Sequence, residues 1–148
     1  MYQYQFICKF HQQWAKDNPL CAFKFFVPMS KDAANIVKDK GWDNALPHIG
    51  SAYETADILF TQAPESGQIT TMYTSLAILL AKGYYSLGCP IKAEQTLDHV
   101  KQRILNQAWL SQTCRYQHCI ACLEQAMQHN HIASKMPCAA SQQHVALH

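Results

Sequence analysis

Apolar residues recur along this chain at helical rather than strand spacing. Phe6, Phe10 and Trp14 stand at i, i+4 and i+8 with Ile7 beside them, which predicts a first helix over about residues 2–16. Asp17-Asn18-Pro19 stops it, with Asn18 as N-cap of the next helix and Pro19 at a first position where its missing N–H costs nothing. A second segment carries Ala22, Phe25, Phe26, Met29, Ala33, Ile36 and Val37 as far as Gly41. Pro28 predicts a kink or split inside it, with Ser30 capping a restart. The third helix is expected over about residues 43–61, with Ile49, Ala52, Tyr53, Ala56, Leu59 and Phe60 inward. Ala63-Pro64-Glu65-Ser66-Gly67 reads as a loop. Helices over about 69–87, 90–105 and 111–128 follow, the last with Ile120, Leu123 and Met127 as its seam. The pattern predicts one all-α domain of about six helices over residues 1–128. Residues 129–148 lose periodicity and contain no aromatic side chain, which predicts a polar, His-containing and poorly ordered tail.

The most specific spacing lies in Leu80, Ala81, Tyr84, Gly88, Ala93, Leu97 and Val100. Small Ala81 and Ala93 let two helix backbones approach, Tyr84 and Leu97 fill the seam, and Gly88 with Pro90 makes the turn. This set resembles a tetratricopeptide helical hairpin. Two partial matches accompany it: Leu46, Ile49, Gly50 and Tyr53, with a first-helix pattern, and Asp17, Ala22, Phe26 and Met29, with a turn and second-helix pattern. The unit centred on Tyr53 has no second helix at the family's offset, so the phase of stacking stays open.

The resemblance implies antiparallel hairpins stacked as a short right-handed superhelix, whose concave groove is lined by each unit's first helix. Carried over by the match, the groove positions are Tyr4, Ile7, His11 and Trp14, then Asn44, Ser51, Glu54 and Thr55, then Ser75, Ile78, Lys82 and Tyr85. The partner-contacting set expected from them is His11, Trp14, Ser51, Glu54, Lys82 and Tyr85. Trp14 also belongs to the apolar stripe of the first helix, which has first claim on it. Some family members clamp a partner's C-terminal carboxylate with Lys and Asn. Here Ile7 and His11 stand at those places, which disfavours that ligand and suits a mixed apolar and polar protein segment.

Charge changes the picture in one respect. The net charge is only +2, which makes a nucleic-acid partner the weaker expectation. Yet residues 43–68 carry Asp43, Glu54, Asp57 and Glu65 without a Lys or Arg, between two basic stretches. Glu54 and Asp57, three apart on one helix, could form an acid–base pair, but read more simply as a solvated face. No run approaches about 20 apolar residues, so no spanning helix is expected. The start lacks a secretory pattern, and seven cysteines, an odd count, suit reduced thiols in a cytoplasm.

The remaining chemistry sits on the sixth helix. Cys114, His118 and Cys122 share a face with Cys119 nearby, and these four are the candidate metal ligands. A structural zinc site normally joins two ligand pairs held by turns, and Cys119-x2-Cys122 has no second pair, so no metal or other cofactor is expected. No phosphate-binding glycine loop or nucleophile elbow is present, and His48 and His99 stand isolated. The sequence therefore predicts a non-enzymatic cytoplasmic adaptor for a protein or peptide, with no membrane association and with homo-oligomerisation left open. Two alternatives remain. One is a helical regulatory protein associated with nucleic acid, suggested by the lysines of residues 1–42; the other is a metal- or redox-sensing bundle using the Cys/His helix.

Overall fold

The computed structural model describes residues 3–107 and 113–134, and side chains as far as residue 130. Six α-helices and no strand occur among them: α1 (Lys9–Asp17), α2 (Pro19–Lys40), α3 (Trp42–Gln62), α4 (Gly67–Ser86), α5 (Pro90–Leu105) and α6 (Cys114–Ser134). Each of α2 to α5 packs on the next helix in the chain. α1 lies against α2 and α3, while α4 also touches α2 on one side and α6 on the other.

α3 and α4 form the centre. Every residue from Ala52 to Phe60 is buried, as is Ile49, so the whole predicted inward set is buried. A helix buried all round in this way must be enclosed by its neighbours rather than laid on a surface. Ile49, Tyr53, Ile58, Leu59 and Phe60 are fully or almost fully buried, and each such side chain contributes about 1.5–3 kcal/mol relative to exposure.

The α4–α5 hairpin follows the predicted spacing. Leu80, Ala81, Tyr84, Ala93, Leu97 and Val100 are all buried. Gly88 takes φ +80°, and the Cys89 and Gly88 amides donate to the Tyr84 and Tyr85 carbonyls at 2.7 and 3.1 Å. This is the paired bonding that ends a helix through a left-handed glycine. The carbonyls of the last turn are thereby satisfied before Pro90 starts α5.

Five local expectations are corrected. The first helix begins at Lys9, so Tyr4, Phe6 and Ile7 are not helical; Phe6 instead lays its ring over Gly50, where any Cβ would collide with it. Phe10, expected in the apolar stripe, is 76% exposed. α2 runs through Pro28 without splitting. Pro28 and Lys24, whose carbonyl loses its partner, are both exposed, so water can satisfy that carbonyl. Ser30 accordingly caps no restart and donates to the Val27 carbonyl. Asn18 makes no side-chain cap for α2 and bonds the Trp14 carbonyl at the end of α1 instead.

The end of the domain also differs from expectation. α6 continues past residue 128 to Ser134, so the first residues assigned to the tail belong to a helix. Residues 135–148 lie outside the described residues. Tyr116 anchors α6 by donating to the Pro64 carbonyl at 2.8 Å.

Candidate functional site

The two carboxylates read as a solvated face are the most deeply engaged polar groups of the fold. Glu54 is 0% exposed. Its Oε2 accepts the Gln5 amide at 2.7 Å, and its Oε1 accepts the amides of Phe6 and Ile7 at 2.7 and 3.0 Å. One side chain thus holds three successive backbone N–H groups of the segment before α1. The assignment of Glu54 as an outward, partner-contacting residue is therefore corrected: it faces inward, and the partner it meets is this chain's own N-terminal strap.

One turn further on, Asp57 gathers groups from three directions. Tyr4 donates its hydroxyl at 2.5 Å, and Tyr73 donates its own from α4. From α5, His99 Nε2 lies 3.2 Å and Arg103 Nε 3.4 Å from Asp57 Oδ1. Burial pushes the Asp57 carboxyl up, but the bond from His99, the charge of Arg103 and the two tyrosine hydroxyls together hold it below the ordinary aspartate range. Burial, reinforced by the Asp57 charge, pushes the Tyr4 hydroxyl well up. Arg103 also bonds the Asp57 carbonyl and the Thr61 hydroxyl, and its guanidinium lies over the Phe60 ring at 5.3 Å. The cluster joins the strap, α3, α4 and α5. His99 stands isolated in the sequence because its partner lies 42 residues away.

The remaining predicted contact residues fall on two separate faces. His11, Trp14 and Ser51 come together with Phe25, Met29 and His48 around a pocket between α1, α2 and α3. Trp14 is half-buried there and meets the Phe25 ring edge-on at 6.3 Å. Lys82 lies elsewhere, exposed on α4. Tyr85 is partly buried and packs against the core beside it. No single groove contains all six.

Lys82 marks a groove that does exist. Three clefts run end to end along α4. The first, between α2, the start of α4 and Arg115, shares Ser30, Thr71 and Met72 with the second. The second shares Ile78 and Lys82 with a third, between α4 and α6. α4 is the floor from Gln68 to Lys82, a length of roughly 21 Å at helical rise. On the α2 wall, Val27, Ser30, Lys31 and Ala34 recur at helical spacing. On the α6 wall stand Arg115 at one end and Cys122, Ala126 and His129 at the other. Lys31, Lys82 and Arg115 supply positive charge, and among the described residues no Asp or Glu lines any of the three clefts. Ser75 and Ile78, two further positions implied by the resemblance, also line it.

The candidate metal ligands are not brought together. Cys119 is buried in the core, Cys114 is exposed, and Cys122 Sγ lies 3.6 Å from His118 Nε2 as an isolated pair. Among the described residues, no three His, Cys, Asp or Glu side chains converge as a metal site would require, and no helix is long and apolar enough to cross a membrane.

No family model, curated protein or solved structure matches this chain. Sequence reasoning missed Lys31, Arg115 and the whole α6 wall. A usable signal existed in α4, where Met72, Ile78 and Leu79 add apolar residues outside the stripe that meets α5. A helix apolar on more than one face has more than one neighbour.

Proposed function

We propose that this protein is a non-enzymatic, cytoplasmic, tetratricopeptide-like interaction module that holds a segment of a partner protein along α4, between α2 and α6. The observation that carries the reading is the continuity of the three clefts over the length of one helix. The order of packing supports it. α4 lies between α2 and α6 and touches both, which suits hairpin units of α2 with α3 and α4 with α5, followed by α6. In that phase the α4–α5 unit keeps the resemblance described above, while α3 serves as a second helix rather than a first. A scaffold of this kind contributes a preorganised surface, so little ordering cost is left for the protein side on binding.

The test is selection of a random peptide library displayed on phage against the parent and Ser75→Arg. Ser75 is exposed on the groove floor, so the variant should melt as the parent does while its long cationic side chain blocks the cleft. Enrichment on the parent that is lost on Ser75→Arg is the expected result. Failure to enrich, or enrichment indifferent to Ser75→Arg, would overturn the reading.

A further inference from the structure

Taking the α4 groove as the binding site, we propose that its occupant is an acidic protein segment with aliphatic anchors. Lys31, Lys82 and Arg115 are all exposed and stand on the three different helices that form the groove. α4 itself has Lys82 as its only charged residue, and among the described residues neither wall turns a carboxylate into the clefts. Cations placed at both ends of a cleft with no compensating anion steer and orient a negatively charged ligand.

The floor decides which anion. Between the cations it presents Met72, Leu76, Ile78 and Leu79, partly or nearly wholly buried and unbranched or aliphatic. A nucleic-acid strand held without base-specific contacts relies on aromatic stacking platforms, and among the described residues no Phe, Tyr or Trp lines the three clefts. Aliphatic side chains from a peptide fit this floor, with methionine supplying an adaptable contact. Their flanking Asp or Glu residues would meet the three cations.

Two occupants from this chain itself lack the required charge. Residues 135–148 contain no Asp or Glu. In the acidic band of residues 43–68, Glu54 and Asp57 are buried, which leaves only Asp43 and Glu65 at its two ends. A second copy therefore presents no concentrated negative surface from that band. Its other exposed acids, Asp17, Asp32, Asp39, Glu94, Asp98 and Glu124, are spread over four helices, so the occupant proposed is a different protein.

The peptides enriched on the parent in the display experiment provide the test, followed by fluorescence anisotropy with the leading synthetic peptide. They should be rich in Asp and Glu around Leu, Ile, Val or Met. Affinity should fall steeply from about 50 to about 300 mM salt. Lys31→Glu and Lys82→Glu should each weaken binding by about tenfold, and Lys82→Gln should weaken it less. Circular dichroism melts confirm that each variant is folded; where a Glu variant is not, the Gln variant at the same position is read instead. Neutral or basic peptides that still depend on Ser75 would overturn the acidic assignment and leave the groove reading standing. A selection that yields no peptide dependent on Ser75 would overturn the groove itself. A labelled oligothymidine bound more tightly than the leading peptide, and released by Lys31→Glu and Lys82→Glu, would overturn the assignment in favour of nucleic acid.

Discussion

Replacing Glu54 tests the most deeply buried polar arrangement of the fold. Glu54 receives the amides of Gln5, Phe6 and Ile7 at 2.7, 2.7 and 3.0 Å. A hydrogen bond to a charged group is worth about 1.5–3 kcal/mol net, so simple addition would give roughly 4.5–9 kcal/mol. That sum is a ceiling that folding never reaches. The strap precedes α1 and can peel away, so the loss cannot exceed the free energy with which it docks. Glu54→Ala should therefore cost about 3–5 kcal/mol, the range for removing one partner of a buried charged arrangement. Glu54→Gln should cost about 2–3 kcal/mol, because one amide oxygen can still serve Phe6 and Ile7 while its NH2 opposes the Gln5 N–H, donor against donor. Urea denaturation followed by far-ultraviolet circular dichroism gives the stability change, and amide exchange at Gln5, Phe6 and Ile7 locates it. The three amides should lose protection together while those of α4 and α5 lose only what the global change imposes. A cost under about 0.5 kcal/mol for Glu54→Ala, or unchanged protection at those amides, would refute the idea that this carboxylate fastens the strap.

Three further perturbations follow from the same structure. Asp57 titrates below its ordinary range when folded, so the unfolded chain takes up its proton first. The stability it adds is fully present above its unfolded value and is lost as pH falls through the lowered folded value. Stability measured below about pH 4 should drop less steeply in Asp57→Asn than in the parent, and parallel acid limbs would contradict this. Ala93 is 0% exposed, and Ala93→Leu should overpack the α4–α5 seam by about 1–3 kcal/mol, at about 2–4 °C of melting temperature per kcal/mol; an unchanged melt would argue against close helix approach there. Gly50→Val should displace the Phe6 ring that covers it, read as loss of amide protection over residues 5–7, and retained protection would show that the ring can move without freeing the strap.

What could be read in the sequence was local. Gly88 and Pro90 fix the start of α5, and the spacing of apolar residues identifies the buried sets of α3 and of the hairpin, because both signals act within a turn or two of the residue concerned. The strap was misread for a related reason. Phe6, Phe10 and Trp14 have helical spacing, yet Phe6 is drawn to Gly50 and the neighbouring amides to Glu54, a carboxylate 47–49 residues away in sequence. Nothing near residue 6 records that attraction. The spacing of Asp57 misleads likewise, since the side chains that justify its burial stand 42 and 46 residues further on, at His99 and Arg103. The predicted contact set divided because it assumed α3 to be a groove helix. Burial of α3 on every side turned Glu54 inward, left Ser51 beside Trp14, and left Lys82 on a groove formed with α2 and α6 instead.

That arrangement separates charge in a way the composition conceals. Two of the chain's ten acidic residues, Glu54 and Asp57, are spent inside the fold, one on backbone amides and the other on His99, Arg103 and two tyrosines. Both lie on α3, behind α4 as seen from the groove. The helix in front of them has a single charged residue, the exposed Lys82. A nearly neutral chain can therefore present a cationic groove, because its central carboxylates are committed to holding the strap and α5. The two features are linked through α3. If Asp57 and Glu54 were solvated, as their spacing suggested, the strap would lose its anchor and the negative charge would return to the surface. The same burial that closes the N-terminal segment onto the fold thus keeps two anions away from the face where an acidic partner is proposed to dock.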